Sequence, residues 1–154
     1  MNIDMPSVGT PNGIYVFQES SKKWTLLRSE GEPFSIGELG EGVYFVYFDN
    51  TLCPACRAQD QHLLKVLLKY GSNSEIKFVI ILCDWFASTC TSQAAAETFR
   101  KYEVKASPTI LIAKVKSNGM VIERLEGVRK DSVLEYYLKK ALDEHVEEEL
   151  KNQS

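Results

Sequence analysis

The chain has no apolar run long enough to span a bilayer, and its opening, MNIDMPSVGTPNG, has neither the basic start nor the apolar stretch of a secretory signal. A cytoplasmic protein with no membrane contact is the expectation. Positive charge is in short supply as well, with 18 Lys and Arg against 21 Asp and Glu and a formal charge of -3. No broad basic field draws a phosphate backbone, which argues against nucleic acid as a partner. Internal repeats and low-complexity linkers are missing, so 154 residues fit one domain around one core. Cysteine is scarce: Cys53, Cys56, Cys83 and Cys90 are the four. A reducing cytosol seldom keeps structural disulfides, so a close pair there points to redox chemistry or metal binding.

Residues 1–12 hold Pro6, Gly9, Pro11 and Asn12 with little periodicity, and read as a flexible arm before a domain over 13–154. Apolar runs at 14–18 and 24–28 flank the polar ESSKK and predict a hairpin. Ser35 followed by Glu38 has capping-box spacing and predicts one or two helical turns, kept short by Gly37 and Gly40. GVYFVYFD (42–49) and EIKFVIILC (75–83) are almost wholly apolar, as central strands covered on both faces are. Between them, 55–70 sets Leu63, Leu64, Leu67 and Leu68 at helical spacing, with Gly71 as the stop. A strand-helix-strand unit of this kind favours parallel strands. An alanine-rich helix over 93–102 precedes two strands, SPTILIAKV and MVIERLEG, joined through Asn118-Gly119. Asp131 opens a last helix whose Leu134, Leu138, Ala141 and Leu142 share one stripe.

The chemistry-bearing stretch is 48-FDNTLCPACRAQ-59, where two thiols stand at the join of a strand and a helix. With Cys53 as N-cap, Pro54 takes the first helical position, where its missing N–H costs nothing, and Cys56 falls at the third. The amides of Ala55 and Cys56 and the positive helix end then favour a charged Cys53 sulfur. Cys56, one turn on and buried behind it, is placed to displace whatever Cys53 captures, so the spacing supports attack, capture and release. Half of a zinc site is the competing reading, but Cys83 and Cys90 are separated by six intervening residues and do not form a second close pair. No cofactor or metal is therefore expected.

Strand 43–48 leading into Cys53-Pro54-Ala55-Cys56, then KYEVKASPT at 101–109, a hairpin and Gly127 before the final helix, together resemble the thioredoxin superfamily over about residues 35–143. The resemblance implies an α/β, thioredoxin-like fold, a central mixed β-sheet flanked by helices, here with an N-terminal β-hairpin extension. It implies Cys53 as nucleophile and Cys56 as resolving thiol, with Leu52, Pro54, Ser107 and a cis Pro108 forming the substrate-binding rim. Ser107 would offer its backbone to an extended partner segment. Departures stand beside these matches. Tyr47 occupies the position of the family's buried aspartate, Leu52 that of its tryptophan, and CPAC replaces the common CGPC. Asp49 shares the strand face of Tyr47 and is a candidate replacement, although Asp-Asn closing a strand favours plain turn chemistry.

The segment 83-CDWFASTCTSQ-93 is longer than the thioredoxin connection by about nine residues, a length at which loops become functional. Three readings of Cys83 and Cys90 stand: a bridge, a relay to the active pair, or Cys83 as a small buried hydrophobe. Trp85 and Phe86 are expected to pack inward, and His62, His145 and the acids at 147–149 to lie on the surface. The expected function is a monomeric thiol-disulfide oxidoreductase acting on protein disulfides and recharged by a separate thioredoxin-type reductase. A redox-silent binding module of the same fold is the alternative, and a glutaredoxin-like enzyme a weaker one.

Overall fold

A computed structural model of the protein describes residues 3–153, the side chains of 143–153 excepted. His145 and the acids at 147–149 lie outside the described side chains. Six strands form one sheet: β1 (Gly13–Gln18), β2 (Lys23–Arg28), β3 (Gly42–Asn50), β4 (Ile76–Cys83), β5 (Thr109–Lys116) and β6 (Gly119–Glu126). Their order across the sheet is β2-β1-β4-β3-β5-β6. Only β3 and β4 run parallel, joined through helix α1 (Pro54–Tyr70), and every other pairing is antiparallel. The mixed sheet flanked by helices, and the N-terminal hairpin extending it through β1 against β4, are the architecture expected from the sequence.

Strand period two divides β3 between two cores. Val43, Phe45 and Tyr47 pack with Leu63, Val66 and Leu67 of α1 and with Leu134 and Leu138 of α3 (Asp131–Gln153). Tyr44, Val46 and Phe48 pack on the other face with Ala94, Ala95 and Phe99 of α2 (Gln93–Lys101). Covering both faces is what makes these strands nearly continuous apolar runs. Among the described residues, no helix is long and apolar enough to cross a membrane.

Two local expectations change. Residues 3–12 form no regular element, yet they are docked rather than loose. Ile3 and Met5 join the α1-side core, Tyr15 Oη donates to Pro11 O, and buried Asn12 bonds Asp84 Oδ1 and the Thr91 amide. Residues 35–40 make a turn instead of helix: Glu38 Oε1 accepts from the Ser35 amide as in a capping box, but Gly37 and Gly40 take φ of 107° and 98° and stop propagation. Gly71 is the C-cap of α1, the stop expected from the sequence, with a right-handed φ of -63°. Its requirement is space, because a Cβ there would lie 2.4 Å from Leu67 O.

Candidate redox site

Cys53 is the N-cap of α1 with extended backbone (φ -105°, ψ 110°), and Pro54 occupies the first turn. Its Sγ accepts from the Cys56 amide at 3.1 Å, while its own N–H donates to Asn50 O at 3.2 Å. The first turn, PACR, contains no acid to oppose negative charge at the helix start. Both cysteines are free thiols, and the Cys53 side chain lies near enough to the Cys56 thiol to raise its pKa. The two thiols therefore stand close together. Cys53 is only 4% exposed, beneath a rim where Leu52 is 66% exposed and Pro54 is also open to solvent.

Cys56 is fully buried. Burial pushes its thiol far above the ordinary range and the Cys53 contact adds to this, while the Ser107 hydroxyl and the Asn50 main-chain N–H pull the other way. Ser107 Oγ lies 3.1 Å from Cys56 Sγ, and Asn50 Nδ2 donates to the same Oγ at 2.9 Å. The Ser107-Pro108 peptide is cis and Pro108 is buried, so the segment expected to face the thiols does reach them, through the Ser107 side chain.

Asp49 is not turn chemistry. It lies within β3, is 0% exposed, and meets Arg57 Nη2 through Oδ1 at 2.6 Å. Arg57 Nε stands 3.1 Å from Asp60 Oδ2, an ion pair without hydrogen-bond alignment. Two buried carboxyls thus share one guanidinium. Asp49 Oδ2 is buried with no donor to accept from among the described residues, while the Asp49 and Asp60 side chains are within reach of each other. A proton held on Asp49 and directed at Asp60 removes both the orphaned oxygen and the surplus charge. Burial, then the Asp60 charge, accordingly push Asp49 up to about 9, and burial raises Asp60 as well. Tyr47, at the position of the family's aspartate, puts its Oη 2.9 Å from both Cys56 O and Asp60 Oδ1, and burial keeps the phenol neutral.

The loop after β4 is closed by a Cys83–Cys90 disulfide, the bridged reading of the three. Trp85 is 44% exposed, contrary to inward packing, whereas Phe86 rests edge-on against Phe99 with ring centroids 6.0 Å apart. Phe86, Phe99 and Val104 help line an open cavity of about 550 Å³ beside this loop. His62 is half-buried, with Nδ1 3.0 Å from Asp131 Oδ1 at the start of α3, so it ties two helices together instead of standing free on the surface.

Sequence reasoning missed Asn50, Arg57 and Asp60. Arg57 and Asp60 follow Cys56 at one and four residues, which places Asp60 one helical turn beyond it; that spacing was the available signal. Asn50 alternates with Asp49 and so faces the other side of the sheet, a position that only pairing with the loop makes informative.

Neither a family model nor a curated protein matches the chain. Solved structures do. Thioredoxin from Aeropyrum pernix is 18% identical, with a TM-score of 0.56 over 88% of this chain and 96% of that one. Thioredoxin-2, a component of the malaria parasite protein secretion machinery, is 25% identical, with a TM-score of 0.53 over 74% and 98%. Mitochondrial thioredoxin 3 from Saccharomyces cerevisiae, in its oxidised form, is 19% identical, with a TM-score of 0.51 over 73% and 94%.

Proposed function

From the premise that this chain has the thioredoxin-superfamily fold, we propose that it is a thiol-disulfide oxidoreductase that reduces disulfides in partner proteins. The observation carrying this reading is the free Cys53 sulfur, held at a helix N-terminus by the Cys56 amide with the Cys56 thiol against it. Cys53 attacks a partner disulfide, one partner sulfur leaves as a thiol, and the other remains bonded to Cys53. Cys56 then displaces it, closing a Cys53–Cys56 disulfide and freeing the second partner thiol. Atoms and electrons balance: the partner disulfide gains the two electrons and two protons that the dithiol gives up. A separate reductase of the thioredoxin type returns them, in the cytoplasm.

Asp49 serves this cycle by staying neutral. An ionised carboxylate beside Cys56 would oppose the second negative charge that the resolving step needs, and the proton shared with Asp60 prevents it. Leu52 and Pro54, with the Ser107-Pro108 segment, form the rim against which an extended partner segment lies.

The 4% exposure of Cys53 favours a second reading, a binding module of this fold with a silent thiol pair. Substitutions separate the two. Cys56→Ser should accumulate mixed disulfides with an oxidised protein substrate, and Cys53→Ser should lose reductase activity entirely. Full turnover by the Cys53→Ser protein removes the assignment, and no turnover with slow alkylation of Cys53 in the unmodified protein supports the binding module.

A further inference from the structure

Asn50 ends β3 on the sheet face opposite Asp49, and both ends of its side-chain amide are engaged. Oδ1 accepts from the Phe86 amide at 2.8 Å, and Nδ2 donates to Ser107 Oγ at 2.9 Å. A main-chain N–H can only donate, so the Phe86 contact fixes which end of the Asn50 amide is oxygen. Nδ2 likewise only donates, so Ser107 uses a lone pair to receive it and keeps its hydrogen for another partner. Cys56 Sγ is 3.1 Å from that same hydroxyl. As a thiolate, Cys56 has no hydrogen to give, and the hydroxyl becomes the donor. Hydrogen-bond polarity then runs one way, from Phe86 N–H through Asn50 and Ser107 to the Cys56 sulfur.

The first donor in this chain is held firmly by its loop. The Cys83–Cys90 bridge closes it, and Trp85 and Thr89 exchange main-chain bonds of 3.0 and 3.2 Å. Asp84 Oδ1 accepts from Thr51 Oγ1 at 2.6 Å and Asn12 Nδ2 at 3.0 Å, and the Thr91 amide donates to Asn12 Oδ1 at 2.9 Å. The insertion after β4 is thus tied to β3 at the residues just before the thiols.

We propose that Asn50 is a positioning residue for the resolving step: anchored on the loop at Phe86, it holds the Ser107 hydroxyl as a donor to the Cys56 thiolate. The inference rests on the dithiol reading above. In that step the Cys56 thiolate attacks Cys53 Sγ, the Cys53–Cys56 bond forms, and the bond from Cys53 to the partner sulfur breaks. The partner leaves as a thiolate and takes a proton from water, replacing the one that Cys56 gave up. A hydrogen bond to a charged sulfur raises the thiolate population about tenfold to a hundredfold. A stabilised thiolate is also a weaker nucleophile, so about half of that gain on a logarithmic scale survives, roughly threefold to tenfold in rate.

The test uses full-length protein with Cys83–Cys90 bridged and the active pair reduced, mixed rapidly with the aromatic disulfide dithiobis-nitrobenzoate. Coloured thiolate appears in two phases, the first from attack by Cys53 and the second from resolution by Cys56, and the readout is the ratio of their rates. Asn50→Asp keeps the size and the acceptor for Phe86 but has no N–H, so it draws the Ser107 hydrogen to itself. Ser107→Ala removes the donor to sulfur altogether. Each single variant should lower the ratio of second to first phase about threefold to tenfold. The added charge of Asn50→Asp acts in either background, so the polarity effect appears as a smaller drop when Ser107 is already alanine. Equal drops in both backgrounds, or a ratio that Ser107→Ala leaves unchanged, overturn the proposal. Loss of the second phase from the unsubstituted protein would instead reject the dithiol reading on which it stands.

Discussion

Replacing Asp49 by asparagine should flatten the pH dependence of stability. The native structure keeps a proton on the Asp49/Asp60 pair because burial in the absence of a full set of donors disfavours the second negative charge, with Asp49 pushed up to about 9. Below about pH 4 the folded and unfolded chains both hold this proton, and the group contributes no pH dependence. Between about pH 4 and about pH 9 the unfolded chain has released it and the folded chain has not, so stability falls by about 1.4 kcal/mol per pH unit. Above the folded value both are ionised and the decline ends. From about pH 6 to about pH 8 the loss from this one proton is about 2.7 kcal/mol. The asparagine side chain of the Asp49→Asn protein cannot ionise, still offers Oδ1 to Arg57 and brings an N–H toward Asp60, which then ionises against Arg57 alone. Urea unfolding followed through Trp24 and Trp85, under anaerobic conditions that preserve the thiols, measures both proteins across that range. The gap between them should widen in favour of the variant as pH rises, by about 1.4 kcal/mol per unit. A gap that stays constant with pH means that no proton is retained at the pair, and the account of Asp49 fails.

Three further outcomes are expected. Cys90→Ser opens the eight-residue loop from Cys83 and should lower stability by about 2.5 kcal/mol in denaturant unfolding, the chain-entropy value for a loop of that length. Intact-mass labelling of thiols in protein kept anaerobic with the active pair reduced and then unfolded should show two labelled cysteines becoming four after full reduction, and four at the outset would mean the bridge does not form. Leu52→Gln places a neutral polar group on the rim above Cys53 and should raise KM for an oxidised protein substrate severalfold while leaving the rate with dithiobis-nitrobenzoate within about twofold; equal loss with both would mean that the rim does not contact protein partners.

The sheet was legible because each central strand is a run of apolar residues bounded by turn signals, and because Cys53-Pro54 is a helix start by chain chemistry alone. Turns and the N-terminal segment were less so. Nothing local distinguishes a loose MPSVGTPN from a docked one, since what holds it is distant: Ser7 Oγ donates to Asp60, and Asn12 bridges to the loop after β4. The same limit applied at the site. Cys53 and Cys56 declare themselves by spacing, whereas the partners that tune Cys56 come from β3 and from the residue before the cis proline, up to 51 residues away.

Those partners converge for a reason that lies in strand geometry. Consecutive residues of β3 point to opposite faces, so Asp49 enters the layer under α1 and Asn50 the side of the β4–α2 loop. Cys56, in the first turn of the helix that follows β3, stands at the edge between the two, with Asp49 near it on one side and the Ser107 hydroxyl in contact on the other. One side limits negative charge around the sulfur by retaining a proton; the other supplies a donor to that charge once it forms. Shifting the pairing of β3 by one residue would exchange the two faces, burying Asn50 against Arg57 and turning Asp49 toward Phe86. The parallel register that sets Asn50 opposite Cys83 therefore fixes the electrostatics of the resolving thiol along with the packing of the core.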